Sequence, residues 1–81
     1  MNERDLRYFL AIVDCRGVGA AADRLGVTQP AVTKCVDRLE DLLRTPLLAR
    51  KGRYVELTPA GMLFHRRAKA ILLRMEDAMQ E

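Results

Sequence analysis

The side chains best equipped for chemistry fall in one run, Thr28-Gln29-Pro30-Ala31-Val32-Thr33-Lys34. A glutamine amide can bond bidentately to adenine, and a lysine ammonium can donate to O6 and N7 of guanine. Pro30 and Ala31 can touch a thymine methyl, and Thr33 can serve a base or a phosphate. Thr28 can cap a helix, and the N–H groups that follow such a cap suit a phosphate. The run thus has the chemistry of base readout, with ordinary solvated helix surface as the plain alternative. A second set, Arg50, Lys51 and Arg53, brackets Gly52. An arginine there could enter a minor groove and sense narrow A·T-rich shape, or simply meet phosphate. Arg38 could touch phosphate too, or pair with Asp37 or Asp41.

Enzymatic chemistry finds little support. The sequence has no glycine-rich phosphate loop, no recognisable nucleophile–base pairing and no metal-ligand cluster. His65 stands among basic residues, without a Cys or acid at metal spacing, and reads as surface. Cys15 and Cys35 make neither a disulfide framework nor a zinc site. Cys35 falls on an apolar flank and reads as a small hydrophobe. No cofactor is expected, and the chain is expected not to be an enzyme.

The elements that must hold the first run can be read from spacing. Small Ala21 and Ala22 permit close helix approach, and Gly26 supplies a left-handed stop after Leu25. Thr28 caps the next helix and Pro30 is tolerated in its first turn. Val32, Val36, Leu39 and Leu43 then recur on one face, predicting a helix from about Gln29 to Leu43. This is a helix-turn-helix whose second helix could enter a major groove. Asp37 and Asp41 would repel phosphate, so only its first turns should sit deep. Upstream, Asn2 and Asp5 make a capping-box-like pair. Leu6, Phe9, Leu10 and Val13 predict a helix over about 3–15. The short helix between is placed at about Ala20–Leu25, with Gly19 as its cap.

Two extended runs, Leu47–Arg50 and Tyr54–Leu57, flank Lys51-Gly52-Arg53 and predict a β-hairpin with a basic tip, a wing. Thr58-Pro59 then starts a long final helix. Phe64, Ala68, Ile71, Met75 and Ala78 form a heptad-like stripe on it, with Leu72 and Met79 alongside. The stripe is read as a dimerisation surface; the alternative is a helix folded back on its own domain. The fold class is mainly α, a winged helix-turn-helix with a two-stranded β-wing. Residues 1–58 form the domain and 59–81 the linker helix.

The chain has 81 residues, enough for one small domain that oligomerisation could help stabilise. Net charge is only +3, yet Arg44 to Arg74 carries eight basic residues and one acid. A local field of this kind favours a polyanion, although a solvated basic surface looks the same in sequence. No signal peptide or membrane-spanning run is visible, and the chain reads as cytoplasmic, acting on the nucleoid.

Taken together, Leu6-Arg7-Tyr8-Phe9, Ala21-Ala22-Asp23-Arg24-Leu25, Val27-Thr28-Gln29-Pro30-Ala31-Val32-Thr33, Arg38-Leu39-Glu40, Leu47-Leu48-Ala49-Arg50 and Leu57-Thr58-Pro59-Ala60-Gly61 resemble the N-terminal DNA-binding domain of LysR-type transcriptional regulators. The resemblance implies a sequence-specific domain that binds promoter DNA as a homodimer or a pair of dimers. The final helix would pair antiparallel with a second copy. Small-molecule effectors would be sensed by a C-terminal domain absent from this chain. Gly19 and Arg44 depart from the family, which usually has Ser or Thr at the first and Gly at the second. Lys34 and Cys35 depart as well, where Arg and a polar residue are common. The competing reading is a protein–protein dimerisation module whose basic surface meets an acidic partner.

Overall fold

The computed structural model describes residues 1–80. Its elements are α1 (Glu3–Cys15), α2 (Val18–Leu25), α3 (Gln29–Leu43), β1 (Leu48–Lys51), β2 (Tyr54–Leu57) and α4 (Pro59–Gln80). The mainly helical winged helix-turn-helix expected from the sequence is the fold observed.

α1 is the central element. Its Leu6, Phe9, Ala11 and Ile12 are all buried, which wraps apolar side chains around more than half the helix. Ala11 and Ile12 pack with Ala21, Ala22, Val32 and Val36, joining α1 to the helix-turn-helix. Phe9 packs with Leu39 and Leu47, and Leu6 with Ala68 and Leu72 of α4. The face predicted for α1 was therefore too narrow: Ala11 and Ile12 are buried as well, because α1 has neighbours on several sides, while Leu10 and Val13 are only half-buried.

All three domain helices end alike. The residue after the last turn is left-handed, and its own N–H and the next one donate back to carbonyls of the last turns. Gly26 does this at φ 70, with Val27 N–H donating to Ala22 O at 3.0 Å. Arg16 and Arg44 hold the same conformation at φ 60 and φ 58 despite having a Cβ. The end of α3 is thus undistorted, and Arg44 carries the strain that a glycine would avoid. α2 starts earlier than the sequence suggested. Its cap is Gly17, not Gly19, and no side chain completes it.

The hairpin pairs Leu48 with Leu57 and Lys51 with Tyr54, so the loop is Gly52-Arg53 alone. Gly52 takes φ 63, the sign that a two-residue hairpin loop demands at that position. β1 lies one residue later than predicted, since Leu47 is fully engaged in the core. Leu43 also departs from prediction and is exposed at the C-terminal end of α3, while Cys35, two turns earlier, is buried.

α4 opens as expected: Thr58 Oγ1 accepts from Gly61 N–H at 3.0 Å and donates to Pro46 O at 2.7 Å. A Cβ on Gly61 would lie 2.0 Å from Leu47 O, so only glycine lets α4 approach the hairpin base this closely. No helix among the described residues is long and apolar enough to cross a membrane.

Candidate nucleic-acid interface

Thr28 caps α3 by accepting Ala31 N–H at 3.3 Å, which leaves its hydroxyl hydrogen free to donate. Thr28, Gln29, Pro30 and Lys34 are exposed, while Ala31 and Thr33 are half-buried. The first turns of α3 thus present every predicted base-contact residue at the surface. They do so on a rigid support, because Val32, Cys35, Val36 and Leu39 of the same helix are buried.

Thr33 and Arg50 line one recess of about 130 Å³ between α3 and the hairpin, together with the carboxylates Asp37 and Glu40. This brings the helix and the base of the wing into a single surface. Cross-strand pairing puts Arg50 on the side of Val55, toward the domain, and Lys51 with exposed Tyr54 on the other. Arg53 occupies the loop. The hairpin is tied down by Val55 N–H, which donates to Arg16 O at 3.2 Å.

Glu40 fixes the hairpin's entry. One of its carboxylate oxygens accepts from Leu47 N–H at 2.6 Å and from Leu48 N–H at 3.2 Å. The third helix therefore sets the position of the wing directly. Glu40 stands in the Arg38-Leu39-Glu40 block, but its role in orienting the hairpin was not legible from spacing.

Arg38 pairs with neither Asp37 nor Asp41. Its Nη2 donates to Asp5 Oδ1 at 3.0 Å and to Cys35 Sγ at 3.1 Å. Asp5 is buried at 4% exposure, whereas half of the Arg38 side chain is open to solvent and retains donors for a phosphate. Burial pushes the Asp5 carboxyl up, but hydrogen bonds to Cys35 and Arg38 and the fields of Arg38 and Arg4 outweigh it. Its pKa is held below the ordinary carboxylate value. Asn2 Oδ1 accepts Asp5 N–H at 2.9 Å, which is half of the predicted capping box; the Asp5 carboxylate turns to Arg38 instead. Burial, followed by the neighbouring Asp5, raises the Cys35 pKa, in keeping with a small hydrophobe rather than a reactive thiol.

The stripe expected to form a dimer is divided. Ala68 and Leu72 are buried against Leu6, with Phe64 and Met75 packed beside them. Phe64 also meets Phe9 edge-on, with ring centroids 5.2 Å apart. These four residues belong to the protein's own core and leave little surface for a second copy. Ile71 at 40% and Met79 at 77% exposure remain free, together with exposed Ala78 and Leu63. The cause is angular: positions 61, 64, 68, 72 and 75 make one face, which Leu47 covers at its start and α1 covers beyond, and Ile71 and Ala78 lie to its side. Met79 continues the covered face where α4 runs on past its packing partners.

Two close-packed helices at a tight turn, an exposed polar first turn on the second, and a basic hairpin beside it define a winged helix-turn-helix nucleic-acid-binding domain. The sequence pattern described as "Bacterial regulatory helix-turn-helix protein, lysR family" matches residues 3–62. The chain belongs to the LysR family, as its DNA-binding domain, and is not an enzyme. It is 42% identical over its whole length to the HTH-type transcriptional regulator BudR of Raoultella terrigena, covering 28% of that protein. It is 46% identical over 72 residues, 89% of the chain, to TfdS of Cupriavidus pinatubonensis, covering 24% of it. The chain thus spans about a quarter of the length of these curated relatives. Among solved structures, a CbnR DNA-binding domain in complex with DNA superposes at a TM-score of 0.95 with 39% identity, covering 99% of this chain and 92% of that one. A BenM DNA-binding domain with benA site 1 DNA gives 0.93 and 35%, covering 99% and 93%.

Proposed function

We propose that the chain binds double-stranded promoter DNA in the cytoplasm as the reading head of a transcriptional regulator. The first turns of α3 enter the major groove, where Gln29, Pro30, Ala31, Thr33 and Lys34 meet base edges. Thr28, Arg38 and Arg50 meet phosphates, and Lys51 and Arg53 carry the wing to the minor groove. The recess shared by Thr33 and Arg50 carries this reading, because it makes helix and hairpin one continuous surface. Solved relatives that superpose over nearly the whole chain are bound to DNA in their crystals.

Residues 1–58 act as the reading domain and 59–81 as the linker helix. A second copy pairs with α4 through Ile71, Ala78 and Met79, and the pair spans two half-sites of an inverted repeat. In a longer protein, effector sensing and any assembly of dimers into tetramers belong to a further domain.

The test is Lys34→Ala on a panel of duplexes that differ at one base pair. Preference at one position should relax by about 1–3 kcal/mol while the others hold. Equal weakening on every duplex would reduce Lys34 to a phosphate contact.

A further inference from the structure

Beside the first turns of α3 lies a second feature, formed where two helices distant in sequence meet. Arg4, Tyr8, Ala31, Lys34, Cys35 and Arg38 line one open recess of about 220 Å³ where α1 meets α3. Three cations from two helices border it. Among the described residues, Arg4 and Lys34 belong to no ion pair, and Arg38 is paired only with Asp5. Asp5 is buried and already held by Arg38, so it offsets one positive charge and leaves the others. The recess therefore has a positive rim over a floor of Ala31 and Cys35, with the Tyr8 hydroxyl as a neutral donor. Its volume accommodates a phosphate group with a few waters.

We propose that this recess seats one backbone phosphate of the DNA duplex, with Arg4 as a phosphate ligand contributed by α1. The seat rests on the DNA-binding reading above. Its occupant follows from continuity: Ala31 and Lys34 belong both to the recess and to the turns that face the bases. A strand bordering those bases passes its phosphates over the adjoining surface, and the adjoining surface here is cationic. Arg7 sits on the same helix but is engaged with Glu3 at 2.6 Å and Glu76 of α4 at 3.8 Å. The first helix thus separates an arginine for structure from one for the duplex.

The experiment compares the 81-residue chain with its Arg4→Gln, Arg4→Lys and Arg7→Gln variants, by anisotropy on two unrelated labelled duplexes over a salt series. Arg4→Gln should weaken both duplexes by the same factor, roughly three- to tenfold at 0.1 M salt. It should also lower the slope of log affinity against log salt by about 0.9 per bound chain. Arg4→Lys should keep the wild-type slope, and so should Arg7→Gln, which removes the same charge from the same helix. An unchanged slope for Arg4→Gln beside a steep wild-type slope overturns the seat and leaves the DNA reading standing. An equal loss in Arg7→Gln overturns it too, since bulk charge would then explain both. A wild-type chain with no salt-dependent binding removes the DNA reading and the seat with it.

Discussion

Asp5 and Arg38 lie 33 positions apart and meet at 3.0 Å, Asp5 buried in the first turn of α1 and Arg38 half open on α3. The contact ties α3 to the central helix and leaves half of the Arg38 side chain open to solvent. A buried carboxylate that loses its partner is costly, so the pair constrains how the two helices pack.

This pair sets an acid limit. The folded-state pKa of Asp5 is lowered, so the unfolded chain binds its proton more readily than the folded one. The stability it contributes is present above the ordinary carboxylate value and is lost as pH falls through the folded-state value. Chemical denaturation at pH 7 should show Asp5→Asn weaker by about 1–2 kcal/mol, a figure tempered by the exposure of Arg38. The gap should close as pH falls below about 4. A constant gap down to pH 2 would mean that Asp5 acts through packing and not through its charge.

Arg44 should be improvable. It holds φ 58 at the end of α3, where a Cβ is strained. Arg44→Gly should stabilise the chain by about 0.5–1 kcal/mol, raising Tm by roughly 2–8 °C in a domain of this size. An unchanged Tm would show the strain to be relieved elsewhere.

Glu40 should act on the wing. Its carboxylate serves both Leu47 and Leu48 N–H groups, so Glu40→Ala leaves two amides without this acceptor. The expected cost is about 1–3 kcal/mol. Hydrogen exchange at Leu47 and Leu48 should accelerate more than exchange within α1. Uniform acceleration would assign Glu40 to global stability only.

Gly61 should tolerate no side chain. A Cβ would sit 2.0 Å from the Leu47 carbonyl oxygen, which is backbone and cannot swing aside. Gly61→Ala should cost at least about 2–3 kcal/mol by denaturant titration. A loss below about 0.5 kcal/mol would show that α4 can slide on the hairpin.

What was legible in the sequence followed local rules. Gly26, Thr28-Pro30 and Thr58-Pro59 each fix a helix end by chemistry within four residues, and all three behave as read. The errors arose where distant neighbours decide. Leu43 repeats correctly on α3 but extends beyond the core, and Leu72 looked available to a second copy until Leu6 covered it. Asp5 at the start of a helix reads as a cap, and nothing nearby announces an arginine on another helix. The exposed turns from Thr28 to Lys34 were legible because one helix face must be apolar and the opposite face is then free.

The dimer proposed above rests on Ile71, Ala78 and Met79, the residues of the stripe that stay exposed. Ile71→Glu leaves the Leu6–Leu72 packing intact and should convert dimers to monomers in sedimentation equilibrium. A dimer that persists would move the interface away from this side of α4.

The central claim is sequence readout built on phosphate contact. Its most direct measurement is a salt titration of binding to two labelled duplexes, one carrying an inverted repeat from upstream of the protein's own gene and one scrambled. Affinity should fall steeply with salt on both and be tighter on the repeat at every concentration. No binding to either duplex at low salt, or curves that do not change with salt, would contradict it.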